Sequence, residues 1–458
     1  MQKFLPLSYL LVLATLFSCN TSNTIEDATY FGGEIINPKN DFVLIYKDEV
    51  LVDSVALDEN NRFLYQFKNF TPGLYHFNHE EYQYVFIEPK DSILFRLNTI
   101  DFDESLTFSG RGADKNNFII NTFLANENHE AKARKLYKLP AKKFCDRVSA
   151  ELQQRLNMLD VYQERYEFSD EFKNVANAHI KYHYYKIKEH YPRYNKAQVD
   201  SINENEFYAF RKDINYNTGN LGSFYPFYEY MYALIDNISS KKLKQVSNHN
   251  DIFTSYNIKV NIIDSLIQNQ DSKNQLLKNT ALNYLSKVEC KKHAQKILEK
   301  FKAHNTDNEN EKQITKLVTN ISRLSKGNNL PDFNVISLNN ETSNIKQLIN
   351  KPTVIYFWTS KNPRHLKSSH LKAKHFEENS KYQFISISLD DSKDTWENLT
   401  TKFNSENEYI LEKPYHTKED LLIQNISKIY VLDGNAKILS ADLNIFDTKF
   451  LQKLNTLE

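Results

Sequence analysis

At 458 residues the chain is long enough for two or three domains, and charged residues at 25% with aromatics at 13% leave ample material for packed cores. Lys plus Arg and Asp plus Glu both number 58, so the formal net charge is zero; this argues against a general nucleic-acid binder, and no nucleic-acid partner is expected. Gly (9) and Pro (11) are scarce, which favours a helix-rich chain with few linkers.

The N-terminal stretch "MQKFLPLSYLLVLATLFSCN" has one early cation, Lys3, and an apolar run through Leu16. The run is shorter than the roughly 20 apolar residues of a bilayer span and fits the core of a secretory signal peptide. No other stretch is long and apolar enough to span. The ending Leu16-Phe17-Ser18-Cys19 resembles a bacterial lipobox, with Phe17 departing from the commonest pattern. The resemblance implies a signal peptide over 1–18, lipidation of Cys19, a linker over 19–28, and the membrane as a partner through the lipid. An ordinary secretory signal with a chance cysteine is the plain alternative. Two cysteines then remain, Cys145 and Cys290, each in a helical pattern. They can pair only if their Cα atoms come within about 7 Å; two buried, inert thiols are the simpler expectation.

Residues 29–112 are predicted to form an antiparallel β-sandwich. "DFVLIY", "LVDSVAL", "RFLYQF", "GLYHF", "YQYVFIEP", "SILFRL" and "SLTFSG" are short, rich in β-branched and aromatic residues, and separated by turn signals such as Pro72-Gly73. Phe63, Tyr65 and Phe67 alternate, as do Tyr75 and Phe77, as in strands with one buried face. No catalytic grouping stands out among them.

Residues 113–326 change to a helical period and are predicted to form an α-helical domain. Phe144, Val148, Leu152, Leu156, Leu159 and Tyr162 recur at three and four, as do Ile314, Leu317, Val318, Ile321 and Leu324. Ser169 before Asp170 and Glu171 reads as a helix start. "HNTDNENEKQ" (304–313) reads as a polar connector. In "AHIKYHYYKIKEH", His179, His183 and His190 share one helix face. Residues four apart can chelate a metal, but no nearby carboxylate or cysteine completes a four-ligand set, so a solvated or aromatic-stacked stripe is expected and no metal.

Residues 327–458 alternate. "TVIYFW" and "YQFISISL" read as strands, each followed by a helix; "KIYVLD" and "AKILSADL" read as a hairpin, and "TKFLQKLNTL" as a last helix. That layout is an α/β fold with a mixed sheet. Here "GNNLPDFNVISLNNETSNIKQLINKPTVIYFWTS" resembles the entry to a thioredoxin-like domain of the TlpA/ResA and alkyl-hydroperoxide-reductase-related kind, and "YVLDGNAKIL" resembles its later hairpin. The match runs from about Leu330 to Glu458. The order of a strand-rich part, helices and this module is similar to envelope lipoproteins of Bacteroidota.

The resemblance alone would imply a thiol-disulfide oxidoreductase. Carried over by position, its two cysteines fall on Asn362 and His365, and its cis-proline on Ser427. Dithiol exchange needs one thiolate to attack and a second thiol to resolve, which neither an amide nor an imidazole can supply. A cis bond without proline costs about 2.5–4 kcal/mol. Asn362 followed by Pro363 instead suits a helix start. Trp358, Ser360, Asn362 and His365 are the candidate binding residues, at a helix N-terminus that favours anions, and Trp358 reads most simply as packing. His365, His370 and His375 do not share a face, so no metal is expected there. The expected function is a membrane-anchored envelope lipoprotein whose thioredoxin-like domain binds a protein or peptide without catalysis or cofactor. The alternatives are a thiol enzyme borrowing Cys145 or Cys290, and a structural scaffold. "NTSNTIED" after Cys19 lacks the immediate acidic run associated with surface export, so the outer membrane, facing the periplasm, is the expected location.

Overall fold

Alternating burial builds the first strands of the computed structural model, which describes residues 28–48, 50–68, 70–216, 224–246, 251–288, 291–390, 392–400, 407–423 and 425–457. The signal peptide, Cys19 and Cys290 lie outside these residues. Eight strands come first: β1 (Tyr30–Ile36), β2 (Phe42–Lys47), β3 (Val50–Ala56), β4 (Arg62–Gln66), β5 (Gly73–His79), β6 (Glu81–Ile87), β7 (Ser92–Asn98) and β8 (Thr107–Arg111), with a one-turn helix α1 (Phe102–Ser105) before the last. They form two four-stranded sheets, β4-β1-β7-β8 and β3-β2-β5-β6. Phe31, Ile93 and Phe95 of the first sheet and Val43, Ile45, Phe77 and Val85 of the second are buried in one shared core.

The sandwich is not wholly antiparallel as expected, because β1 runs parallel to β7 from Tyr30↔Ser92 to Ile36↔Asn98. Gly32 and Gly33 dilute the strand signal of "YFGGEII", yet the packing requires both: a Cβ on Gly32 would meet the Phe63 carbonyl oxygen at 2.5 Å, and one on Gly33 the Phe95 ring at 2.8 Å.

Helices follow: α2 (Ala113–Leu136), α3 (Ala141–Tyr166), α4 (Asp170–Tyr194), α5 (Glu204–Phe207) and α6 (Tyr225–Leu243). Ser169 caps α4 by accepting the Phe172 N–H at 3.1 Å. Cys145 lies on α3, half-buried and free. Packing divides the chain into two units, Met1–Asn237 and Ile238–Glu458, within α6.

The second unit holds α7 (Ile252–Leu266), α8 (Gln270–Leu285), α9 (Lys291–Lys302) and α10 (Asn308–Arg323). The stretch 304–313 is less of a connector than expected, since Asp307 accepts the Asn310 N–H at 2.8 Å and starts α10 there. Then come β9 (Asn334–Ser337), β10 (Thr342–Asn344), β11 (Thr353–Trp358), α11 (Pro363–Glu378), β12 (Gln383–Ser388), α12 (Lys393–Thr400), β13 (Glu408–Leu411), α13 (Pro414–Asp420), β14 (Ile429–Leu432), β15 (Ile438–Ser440) and α14 (Phe450–Leu454). The sheet order is β10-β9-β13-β12-β11-β14-β15. β11 is parallel to β12 and antiparallel to β14, and β12 is parallel to β13.

All six residues of β11 are buried. Val354, Tyr356 and Trp358 pack on one face with Leu366 and Phe376 of α11, while Ile355 and Phe357 pack on the other with Tyr430 and Leu432. A strand covered on both faces reads as a continuous apolar run, as "TVIYFW" does. Among the described residues no helix is long and apolar enough to cross a membrane.

Candidate functional site

The site lies where β11 ends and α11 begins. Asn362 is the N-cap of α11, its Oδ1 accepting the His365 backbone N–H at 3.1 Å, and Pro363 follows at the first helical position. The cap satisfies one of the amides that a helix start leaves open, and proline there has no N–H to lose. Asn362→Ala is expected to cost about 1 kcal/mol of stability, measured by urea unfolding.

The turn before the cap is fastened by a carboxylate that sequence reasoning missed. Asp390, buried just past β12, accepts the Thr359 hydroxyl at 2.5 Å and the Ser360 N–H at 2.7 Å. Ser360 therefore has its backbone N–H committed within the fold.

His365 sits one turn into α11 with its ring edge-on to Phe446, the centroids 5.2 Å apart. Both ring nitrogens are buried, and neither has a hydrogen-bond partner among the described residues. Burial, with a smaller push from His370, lowers the imidazole below its ordinary value. Burial therefore favours the neutral ring. The unfolded chain takes up that proton more readily, so this residue's share of stability falls as pH drops below about 6.5.

Trp358 is placed differently from the expectation of a binding residue. It has 0% exposure, and its indole Nε1–H donates to Ser386 Oγ at 2.8 Å. Ser386 Oγ lies 3.3 Å from His370 Nε2, and His370 Nδ1 donates to the Leu366 carbonyl at 2.8 Å. His370 Nε2 is also 3.0 Å from Glu408 Oε1, a close contact without hydrogen-bond alignment. His370 and Glu408 have side-chain exposures of 5% and 0%, so a polar chain runs beneath the strand end inside the core. Sequence reasoning missed Ser386, His370 and Glu408 in this role. The spacing of Glu408 within a four-residue strand carries no signal, but the uninterrupted "TVIYFW" run does point to an inward Trp358.

Ser427 lies at the same end of the sheet. β14 starts at Ile429 opposite Tyr356, so Ser427 stands two residues before that pair, where β11 runs out. Its backbone N–H donates to Asn425 Oδ1 at 2.9 Å. It also lines a hollow of about 320 Å³ with Asn425, Leu422, Asn444 and Val288.

The histidine stripe of α4 belongs to the first unit and is not solvated. His179 is buried, with Nε2 2.7 Å from the Tyr225 hydroxyl, and His183 Nε2 is 2.9 Å from His129 Nδ1. His129 Nε2 in turn meets Glu151 at 2.8 Å. Burial takes His179 down to about 3 and His183 to about 2, so both rings are neutral. His190 packs beside Tyr194. Among the described residues no group of three or more His, Cys, Asp or Glu is arranged to hold a metal.

No protein-family model matches the chain, and no curated protein matches it. Among solved structures it is similar to the thioredoxin domain of a thiol-disulfide oxidoreductase from Bacteroides vulgatus, at 18% identity over 29% of this chain and 96% of that one, with a TM-score of 0.26. A thiol:disulfide interchange protein from Bacteroides sp. matches at 19% identity, 29% of this chain, 88% of that one and TM-score 0.25. A thioredoxin-like protein from Bacteroides caccae matches at 13% identity, 56% of this chain, 95% of that one and TM-score 0.37. What the site can do follows from its own residues. The central β12-β11-β14-β15 order, the parallel crossover through α11, and the antiparallel hairpin after it give the C-terminal part of the chain a thioredoxin-like fold.

Proposed function

We propose that this chain is an envelope lipoprotein whose thioredoxin-like domain has given up dithiol exchange and binds an extended segment of a partner protein at the old substrate rim. The residues at the two cysteine positions support the loss. The Asn362 side chain is taken up as a cap, and His365 offers no thiol. The observation that carries the binding half is His365 itself. It stands at the rim beside exposed Arg364, with two buried nitrogens unpartnered among the described residues. An unsatisfied buried polar atom costs about 1–3 kcal/mol, so a fold with no use for this imidazole would be more stable with an apolar side chain. A partner's N–H or hydroxyl reaching the ring after a small rotation recovers that cost.

The test is photo-crosslinking in the native cell from p-benzoylphenylalanine at Arg364, in the parent and in a His365→Leu background. The reading predicts capture of one discrete species from the parent. It predicts at least ten-fold weaker capture from His365→Leu, which is equally or more stable to urea. Capture unchanged by His365→Leu, or no discrete species, counts against it.

Anchoring through Cys19 belongs to the same proposal. Palmitate labelling of the parent and its loss in Cys19→Ala, together with outer-membrane fractionation and protection from external protease, would support a lipid-anchored protein facing the periplasm.

The rival reading as a thiol enzyme gains nothing from Cys145. Burial raises that thiol above its ordinary value, and the nearby Lys188 only partly offsets it. A raised value means less thiolate at a given pH. Alkylation of Cys145 by iodoacetamide at pH 7.5, followed by mass spectrometry, is expected to run at least about three-fold slower than that of a free peptide thiol.

A further inference from the structure

The first unit contains a cleft of about 840 Å³, well within the range of small-ligand and peptide sites. One wall is a single face of α4. Glu171, Val175, Ala178, Tyr182 and Tyr185 line it, spaced four, three, four and three residues apart. Glu171 and Tyr185 are fourteen residues apart, which at 1.5 Å per residue makes the cleft about 21 Å long. Phe86 and Leu74 add apolar floor.

Two features point to a ligand. Tyr182 and Tyr185 are each 6% exposed, and neither hydroxyl has a hydrogen-bond partner among the described residues. Their rings are buried, while the hydroxyl tips are not enclosed and are free to meet the polar groups of a ligand in the cleft. Glu171, Asp213 and Lys181 also line the cleft without a hydrogen bond or ion pair among the described residues. The Lys47 ammonium, by contrast, is occupied by the Pro72 carbonyl at 3.3 Å and the face of Tyr75 at 4.4 Å.

We infer that this cleft binds an extended peptide of about six residues carrying at least one basic side chain. The length follows from about 21 Å at ~3.3 Å per extended residue. The charge follows from three carboxylates around the cleft, Asp48, Glu171 and Asp213, against two ammoniums, Lys47 and Lys181. A stacked sugar is disfavoured because the tyrosine faces are already used: Tyr182 stacks on Tyr230 at 5.5 Å and Tyr185 on Phe210 at 4.7 Å between centroids. What remains available is the hydroxyl tip, which suits the carbonyls and amides of a peptide backbone. This site is independent of the rim at His365 and stands or falls separately.

The test pans a phage-displayed random hexapeptide library against the full chain and against Tyr182→Phe/Tyr185→Phe. Those hydroxyls bond nothing among the described residues, so the double variant is expected to keep its thermal midpoint. The expected result is an enriched family containing Lys or Arg. Its binding is at least ten-fold weaker to the double variant, and its basic preference is lost on Glu171→Lys/Asp213→Lys. No enrichment above that on the double variant, or binders indifferent to both variants, overturns the inference. Saturable binding of chitohexaose that is lost in the double variant would also overturn it, in favour of a glycan.

Discussion

His370→Leu is expected to lower the unfolding free energy by about 3–5 kcal/mol, read from urea or thermal unfolding. The reason is what the substitution leaves behind. Glu408 has no exposure, and His370 Nε2 lies 3.0 Å from its Oε1. Removing the imidazole strands a carboxylate inside the sheet, where water cannot reach it. It also leaves Ser386 without its neighbour at 3.3 Å. Glu408→Leu is expected to be milder, because the remaining imidazole is still held by the Leu366 carbonyl at 2.8 Å. The double variant His370→Leu/Glu408→Leu removes both polar partners and is expected to recover most of the loss, since a buried pair replaced by well-packed apolar side chains is often neutral or stabilising. A single variant as stable as the parent would show that the pair is not a closed unit.

Trp358→Ala is expected to cost about 3–5 kcal/mol by the same measurement. This indole is fully buried in the cluster formed by Leu366, Ala373, Phe376 and Trp396, so truncation opens a cavity the size of the ring system. It also removes the 2.8 Å bond to Ser386. Trp358→Phe keeps most of the packing and is expected to cost less. Because Trp358 and His370 share Ser386, their effects should not add, and a double-mutant cycle is expected to give a coupling of about 0.5–3 kcal/mol. If Trp358 were instead a rim residue, alanine there would be nearly silent in unfolding.

The frame of the site was legible because its signals are local. Asn362-Pro363 is a cap followed by the one helix position that favours proline, and six apolar residues before it fix the strand. What stayed hidden has a tertiary origin. β1 was obscured by Gly32-Gly33, residues that weaken a strand signal while making room against the Phe63 backbone and the Phe95 ring. β13 is four residues long and opens on Glu408, so its text looks like loop, and only the finished sheet shows that carboxylate to be inside. Asp390 follows the same logic. It fastens Thr359 and Ser360 across about thirty residues of sequence, a separation at which spacing carries no information. The α4 histidines were read correctly as sharing a face, but their burial against Tyr225 and His129 depends on neighbours that one helix cannot reveal.

The most direct test of a non-redox thioredoxin-like domain is disulfide exchange by the purified protein. Insulin reduction by dithiothreitol is followed by turbidity, with and without the protein. The expected result is a rate no faster than dithiothreitol alone and unchanged by Cys145→Ser. A catalysed rate that disappears in Cys145→Ser or Cys290→Ser would contradict the account.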